Sequence, residues 1–437
     1  MRVTRGTTRS SPWLSSFTLA VCLIPVLFGF VLASPSAGAG YTYAELQPTG
    51  WGYVNPTSIN GNGVVVGYGS LGGINRGFIY SGGNYTPLMP EGWQFLSGGP
   101  VINDAGTAVA AGYGPTSAGG FICSGTTCTP LTAAGWDYLM STSINNNGVI
   151  VGFGSQSGAQ KAFVYDGTTC TALTPSGWDF LQPVSINSNR VVVGYGLYDS
   201  AWSGFRCSDT TCIPLAATDW GNLYPSAINS SNVIVGSGMH LGVQKGFKYD
   251  GTTYTPILPE GWTSAKLSSI NDAGVMAGYG FQGGVRKGFV YDGTTYTTIL
   301  PDGWSSAFAT SINDSGVVVG YGSTTDTTGA TISKGFIATP PPVSVSPVDE
   351  IDGIIDTIDG ALSAENCDKV HMKGVEQKLT VAAHAVEKGK IKKACNKLDN
   401  AYDRVTKRLK SRKACVAQLA AEVQVEIQDV MQDLACK

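Results

Sequence analysis

From residue 51 to about 338, hydrophobic positions come as short β-branched and aromatic runs with a period of two. Clusters of Gly, Asn, Asp and Thr interrupt them, as in Val64-Val65-Val66-Gly67-Tyr68-Gly69 and Tyr291-Asp292-Gly293-Thr294-Thr295-Tyr296. This pattern predicts strands and tight hairpins, and no helix before residue 349. Beyond Pro340-Pro341-Pro342 and Pro347 the apolar spacing changes to three and four. Ile351, Ile354, Ile355, Ile358 and Leu362 predict one helix; Val375, Leu379, Ala382 and Val386 predict a second. Ile391, Ala394, Leu398, Val405 and Leu409 predict a third; Val416, Leu419, Val423, Ile427, Val430 and Leu434 predict a fourth. Short connections between amphipathic helices imply an antiparallel bundle over 349–437, joined through a Pro-rich linker at 339–348.

The strand region is periodic. Trp51, Trp93, Trp136, Trp178, Trp220, Trp262 and Trp304 are separated by 42 residues, or by 43 in one case. Each is followed by an Ile-Asn pair ending at Asn60, Asn103, Asn145, Asn187, Asn229, Asn271 or Asn313, then by a Val-rich run and a Gly-Phe or Ala-Phe pair. Four short strands in about 42 residues are the signature of a β-propeller blade. Thr42 to Trp51 reads like the last strand of a copy, and the seventh copy stops after Gly335-Phe336-Ile337 without one. The expected architecture over 40–338 is therefore a seven-bladed β-propeller whose N-terminal strand completes the last blade and hides both sheet edges. A linear β-solenoid competes, but would not need a truncation that matches an extra strand at the other end.

Composition adds a compartment. Arg2, Arg5 and Arg9 precede an apolar run from Phe17 to Ala33, and Ala37-Gly38-Ala39 follows, the layout of a secretory signal peptide over 1–39. An uncleaved anchor is the alternative, since 17 apolar residues approach the spanning limit; Pro25 and the small residues after Ser34 favour cleavage. The expected location is extracellular or periplasmic. Charged residues make up 14% of the chain and hydrophobic residues 43%, which excludes intrinsic disorder. The 58 glycines follow no three-residue period, which excludes collagen. A net charge of −3 gives no reason to expect nucleic acid as a partner.

In an oxidising compartment the cysteines read as staples. Cys123 and Cys128 flank a four-residue turn in one repeat, and Cys207 and Cys212 do so two repeats later, so each pair can face across its hairpin. Cys170 has Tyr165 at the partnering position, leaving it either a buried small hydrophobe or a free thiol. In an up-down bundle Cys367 and Cys415 share one end and Cys395 and Cys436 the other. Helices of about 20 residues are roughly 30 Å long, which predicts Cys367–Cys415 and Cys395–Cys436.

The pattern Ile-Asn-x-x-Gly-Val-Val-Val-Gly-Tyr followed by Phe-Val-Tyr-Asp-Gly resembles the extracellular HAF-repeat family over residues 41–338. That resemblance implies a secreted propeller-like array and no particular chemistry. The family's His is replaced by Arg76, Gly119, Lys161, Ser203, Lys245, Lys287 and Lys334, and only Ala162-Phe163 keeps the Ala-Phe. Five of these seven are basic. Either their stems lie over apolar surface with the charge in water, or they form a basic ring for an anionic polymer. The array's 10 Lys+Arg against 16 Asp+Glu oppose a broadly cationic surface. Val375 to Val405 resembles the FIMAH domain of exported bacterial proteins, which implies a docking accessory.

For chemistry the chain offers little. Only His240 of three histidines lies in the array, and neither a nucleophilic triad nor metal-ligand spacing can be assembled. Glycosidases need two convergent carboxylates, and repeat-breaking acids such as Asp137, Asp179, Asp199 and Asp219 give no sign of convergence. The expected function is non-catalytic recognition of an extracellular carbohydrate or protein, with no cofactor; a propeller-based glycan hydrolase or lyase is the alternative. The seven periodic Trp either wedge the blades or present rings at a face. The residues that break the repeat in blades four and five, Arg190, Trp202, Arg206, Met239 and His240, are the candidate ligand contacts.

Overall fold

The computed structural model describes residues 40–115, 117–326, 328–341, 347–364, 373–408, 414–434 and 436. The expected signal peptide, linker residues 342–346 and Cys367 lie outside them. The chain divides into a strand-built and a helix-built unit.

The strand unit is a propeller of seven antiparallel sheets, one per repeat. Blade 3 shows the plan: inner strand Tyr138–Ile144, second strand Ile150–Gln156, third strand Ala159–Tyr165 and outer strand Cys170–Leu173. Inner strands run from the Trp end to the Ile-Asn end, and a buried phenylalanine on each third strand, Phe78 through Phe336, is 0% exposed. Burying such a ring contributes about 1.5–3 kcal/mol. Each periodic Trp packs edge-on against that Phe of its own blade, from Trp51 on Phe78 at 5.7 Å to Trp304 on Phe336 at 5.8 Å. The periodic Trp residues are therefore wedges of the blade core.

The Gly of each Val-Gly-Tyr lets the inner strand pass close to the second. A Cβ on Gly67 would lie 2.6 Å from the Phe78 ring and 2.7 Å from Pro56 Cα. Blade 2 differs, and explains the 43-residue interval: its extra residue falls in the inner strand, which is split into Phe95–Leu96 and Val101–Ile102. Ala110, opposite Phe121, replaces the crowded Gly there.

The N-terminal strand Thr42–Leu46 pairs antiparallel with Thr331–Thr339 and completes blade 7. Leu46 is buried at the seam, and Glu45 forms an ion pair with Lys334 at 2.7 Å. Both hairpin staples exist, Cys123–Cys128 and Cys207–Cys212, each joining residues directly opposite in register. Cys170 stands opposite Tyr165 as a half-buried free thiol, and burial pushes its pKa up to about 11.

The helix unit comprises α1 (Pro347–Ala364), α2 (Lys373–Glu387), α3 (Ile391–Arg408) and α4 (Ala414–Asp433). Ile351, Ile354, Val375, Leu379, Leu398, Val405, Val423 and Ile427 form one core, so the period-3.6 stripes of all four helices converge. Gly389 at φ +64° ends α2: its N–H donates to Val386 O and the N–H of Lys390 to Ala385 O, both at 2.8 Å. This is the Schellman arrangement, which needs the left-handed residue that Gly supplies. Cys395 near the start of α3 is bonded to Cys436 just after α4, as antiparallel neighbours require. The Cys367–Cys415 pairing lies outside the described residues. Among the described residues no helix is long and apolar enough to cross a membrane.

Candidate functional site

The two ends of the propeller axis differ in chemistry. At one end, the Asn face, the seven buried asparagines of the Ile-Asn pairs form a closed ring. Each Nδ2 donates to the backbone carbonyl of the next blade's Asn, at 2.9–3.1 Å, and Asn313 closes the circle onto Asn60. Each Oδ1 accepts the backbone N–H four residues on, as Asn145 does from Val149 at 2.9 Å. The ring surrounds an axial depression of about 170 Å³. The acids at its lip are also engaged: Asp104 accepts from Gly61 N–H at 2.7 Å, Asp272 from Ser230 N–H at 2.8 Å and Asp314 from Asp272 N–H at 2.9 Å. Buried polar groups so fully paired hold blades together.

At the other end the hairpins between second and third strands surround the axis. Most basic residues at the family's His position are tied across these hairpins. Lys161 donates to Gln156 at 2.8 Å and Lys287 to Gln282 at 2.9 Å, while Lys245 lies 3.1 Å from His240 Nδ1. With a charged Lys beside it, Nδ1 of His240 accepts, and its ring tilts against Trp220 at 4.7 Å. His240 also lines a groove of about 560 Å³ with Trp220, Tyr249 and Tyr254 at the rim between blades 4 and 5.

The five sequence candidates separate. Arg190 sits on the Asn face at φ +62°, in the turn position that Gly63, Gly148 and Gly274 occupy in other blades. Arg206, four residues beyond Trp202 on the third strand, lies about 13 Å along it toward the Asn face. Trp202 and Met239 lie at the hairpin end of neighbouring blades, 43% and 46% exposed, and His240 is turned to the other side of its sheet.

Trp202 belongs to an aromatic array that periodicity does not announce. Its ring lies 6.2 Å from Phe180 and 6.0 Å from Tyr195, and Tyr195 lies 5.8 Å from Tyr224 of blade 5. Farther round, Tyr279 meets Phe308 at 5.0 Å, and Phe308 stacks on Tyr321 at 4.8 Å. In blade 2, Phe95 stacks on Tyr113 at 4.7 Å with both rings about two-fifths exposed. Burial, then the neighbouring Tyr68 and Tyr279 hydroxyls, raise the pKa of Tyr321, consistent with three phenols gathered near the axis. We call this end the aromatic face. Between blades 5 and 7 it holds a cleft of about 190 Å³ lined by Gln244, Ser264, Lys266, Tyr279, Phe281, Arg286 and Phe308. The sequence signal was the fourth position after each Trp, which varies as Gln182, Tyr224, Lys266 and Phe308 while its neighbours stay constant in type.

Among the described residues no group of three or more His, Cys, Asp or Glu could hold a metal ion. No family model matches the sequence, and no curated protein matches it. Solved structures do resemble the chain. The β-propeller domain of the trilobed protease from Pyrococcus furiosus is 15% identical, with 65% of this chain and 95% of that one covered at a TM-score of 0.48. A catalytically inactive virginiamycin B lyase from Staphylococcus aureus is 11% identical, covering 69% and 100% at 0.44. YCF48 bound to D1 peptide is 11% identical, covering 71% and 98% at 0.43.

Proposed function

We propose that this chain is an exported recognition protein whose propeller binds an extracellular carbohydrate through its aromatic face, without catalysis. The observation that carries the proposal is the set of half-exposed rings there, Trp202, Tyr224, Phe95 and Tyr113, with Met239 also exposed at that end of blade 5. Monomeric proteins keep such surface small unless something covers it, and flat rings present an apolar body to a partner at low entropic cost. The hairpin disulfides fit an oxidising compartment, in keeping with the signal-like N-terminus. Against the hydrolase reading, the acids around the axial depression, Asp104, Asp272 and Asp314, each accept a neighbouring backbone N–H, and His240 is occupied by Lys245.

A glycan array probed with the full chain, beside Trp202→Ala and Tyr224→Ala, tests this. Binding to at least one glycan class, weakened about tenfold or more by either substitution, is expected. Absence of any glycan binding, with capture of a protein instead in a pull-down, would turn the assignment to a protein ligand; hydrolysis of an arrayed polysaccharide would replace it with an enzyme.

A further inference from the structure

Two cations on the aromatic face share one cleft, which distinguishes them from Arg76, a single cation that is likewise without a hydrogen bond or ion pair among the described residues. Lys161, Lys245, Lys287 and Lys334 each have a side-chain partner within 3.1 Å. Lys266 and Arg286 line one cleft, and among the described residues neither forms a hydrogen bond or ion pair; no carboxylate lines the cleft with them. The Arg286 guanidinium is clamped instead by two rings, its carbon 4.6 Å from the centre of Phe281 and 4.8 Å from that of Phe308. Its Nε is buried without an acceptor. Cation–π contacts orient a guanidinium without using its in-plane donors, so the part of Arg286 that lines the cleft is held in place for an acceptor. In a propeller with more acids than bases, two unpaired cations beside one cleft are a local device for an anion.

We infer that this cleft binds the carboxylate of an acidic sugar unit: Arg286 presents its planar donors, Lys266 supplies the second charge, and the rings of Phe281 and Phe308 fix the geometry. The inference rests on the carbohydrate reading above and specifies its ligand class. A carboxylate matches a planar fork in two parallel hydrogen bonds. Gln244 and Ser264, in the same lining, offer neutral partners for sugar hydroxyls, and for that reason a saccharide is favoured over an acidic peptide.

The test is calorimetric titration of the full chain with an oligogalacturonate, its methyl ester, a sulfated oligosaccharide and a Glu-rich peptide. The acid should bind at least about tenfold more tightly than its ester, with affinity that falls as salt rises. Arg286→Gln and Lys266→Gln should each reduce acid binding to near the ester's level, and Arg286→Lys should fall between. Because Arg286 supports two rings, Lys266→Gln is the safer variant, and unchanged Trp fluorescence certifies both folds. Equal affinity for acid and ester, or unchanged acid binding in both Gln variants, would overturn the inference. Tighter binding of the sulfated sugar or of the peptide would overturn the carboxylate or the sugar. If neutral glycans bind through Trp202 with no preference for acid, this inference fails and the carbohydrate reading stands; if no saccharide binds, that reading fails first.

Discussion

The Asn ring allows a stability prediction at atomic resolution. Asn145→Ala removes the Nδ2 bond to Asn187 O at 2.9 Å and the Oδ1 contacts to Asn147 N–H and Val149 N–H at 3.0 and 2.9 Å. The Asn187 carbonyl keeps a second donor, Arg190 N–H at 3.0 Å, so its loss is modest. The Val149 N–H is buried and is left without that acceptor, which costs about 1–3 kcal/mol, and the other two bonds add about 1 kcal/mol together. The expected destabilisation is about 2–4 kcal/mol. Urea unfolding followed by Trp fluorescence isolates the effect, because eight of the nine Trp lie in the propeller, none occurs after Trp304, and the ninth, Trp13, belongs to the signal-like segment. Asn313→Ala, at the seam, has the same geometry, 3.0 Å to Asn60 O and 3.0 Å from Val317 N–H, and should cost a similar amount. Asn145→Asp keeps an acceptor for Val149 but aims an oxygen at a carbonyl, so it should recover nothing at neutral pH. A loss below about 0.5 kcal/mol in both Ala variants would refute the ring as a structural device.

Other consequences are open to direct measurement. Tyr165→Cys should form a third hairpin staple with Cys170, detectable as loss of the free thiol by mass spectrometry, and raise propeller stability by about 2 kcal/mol as short-loop closure predicts. In the native protein Cys170 should label slowly with a maleimide at neutral pH and fast in denaturant, since burial raises its pKa to about 11. Arg190→Gly should stabilise the propeller by about 0.5–1 kcal/mol in the same urea assay, because it relieves a positive φ at a turn position. Asp166 and Asp250 accept backbone N–H bonds in their hairpins that lower each pKa to about 2, below the ordinary 3.8. The contribution of these turns is complete above 3.8 and disappears as pH falls through about 2; carboxyl NMR titration that returned ordinary values would contradict the turn geometry.

What the sequence made legible was whatever repeats. A 42-residue period converts directly into blades, and the missing outer strand of the last copy located the seam, because both depend on counting alone. Hairpin disulfides were equally readable, since residues flanking a four-residue turn face each other in register. The aromatic face was not, because Trp202, Tyr224, Lys266, Arg286 and Phe308 come from different blades at positions where the repeat varies. Their convergence needs the ring closed. Arg190 shows the opposite hazard: it departs from the repeat conspicuously, yet it replaces a turn glycine on the far face. The single 43-residue interval, which carried no meaning as a spacing, marks the broken inner strand of blade 2.

The pairing of Thr42 with Thr339 has a consequence for presentation. Tyr41 donates to Gly316 O at 3.2 Å, and Pro340 lies over that same Asn-face turn, 3.4 Å from the position of a Cβ on Gly316. Incoming and outgoing chain thus pass through one gate on blade 7, at the end of the axis away from the rings. A tag, tether or fusion at either side of the propeller leaves from that gate, so the chain can be immobilised there with its aromatic end turned outward. The same gate can be assembled only after the strand Thr331–Thr339 has been synthesised, so the ring cannot close before that strand is made.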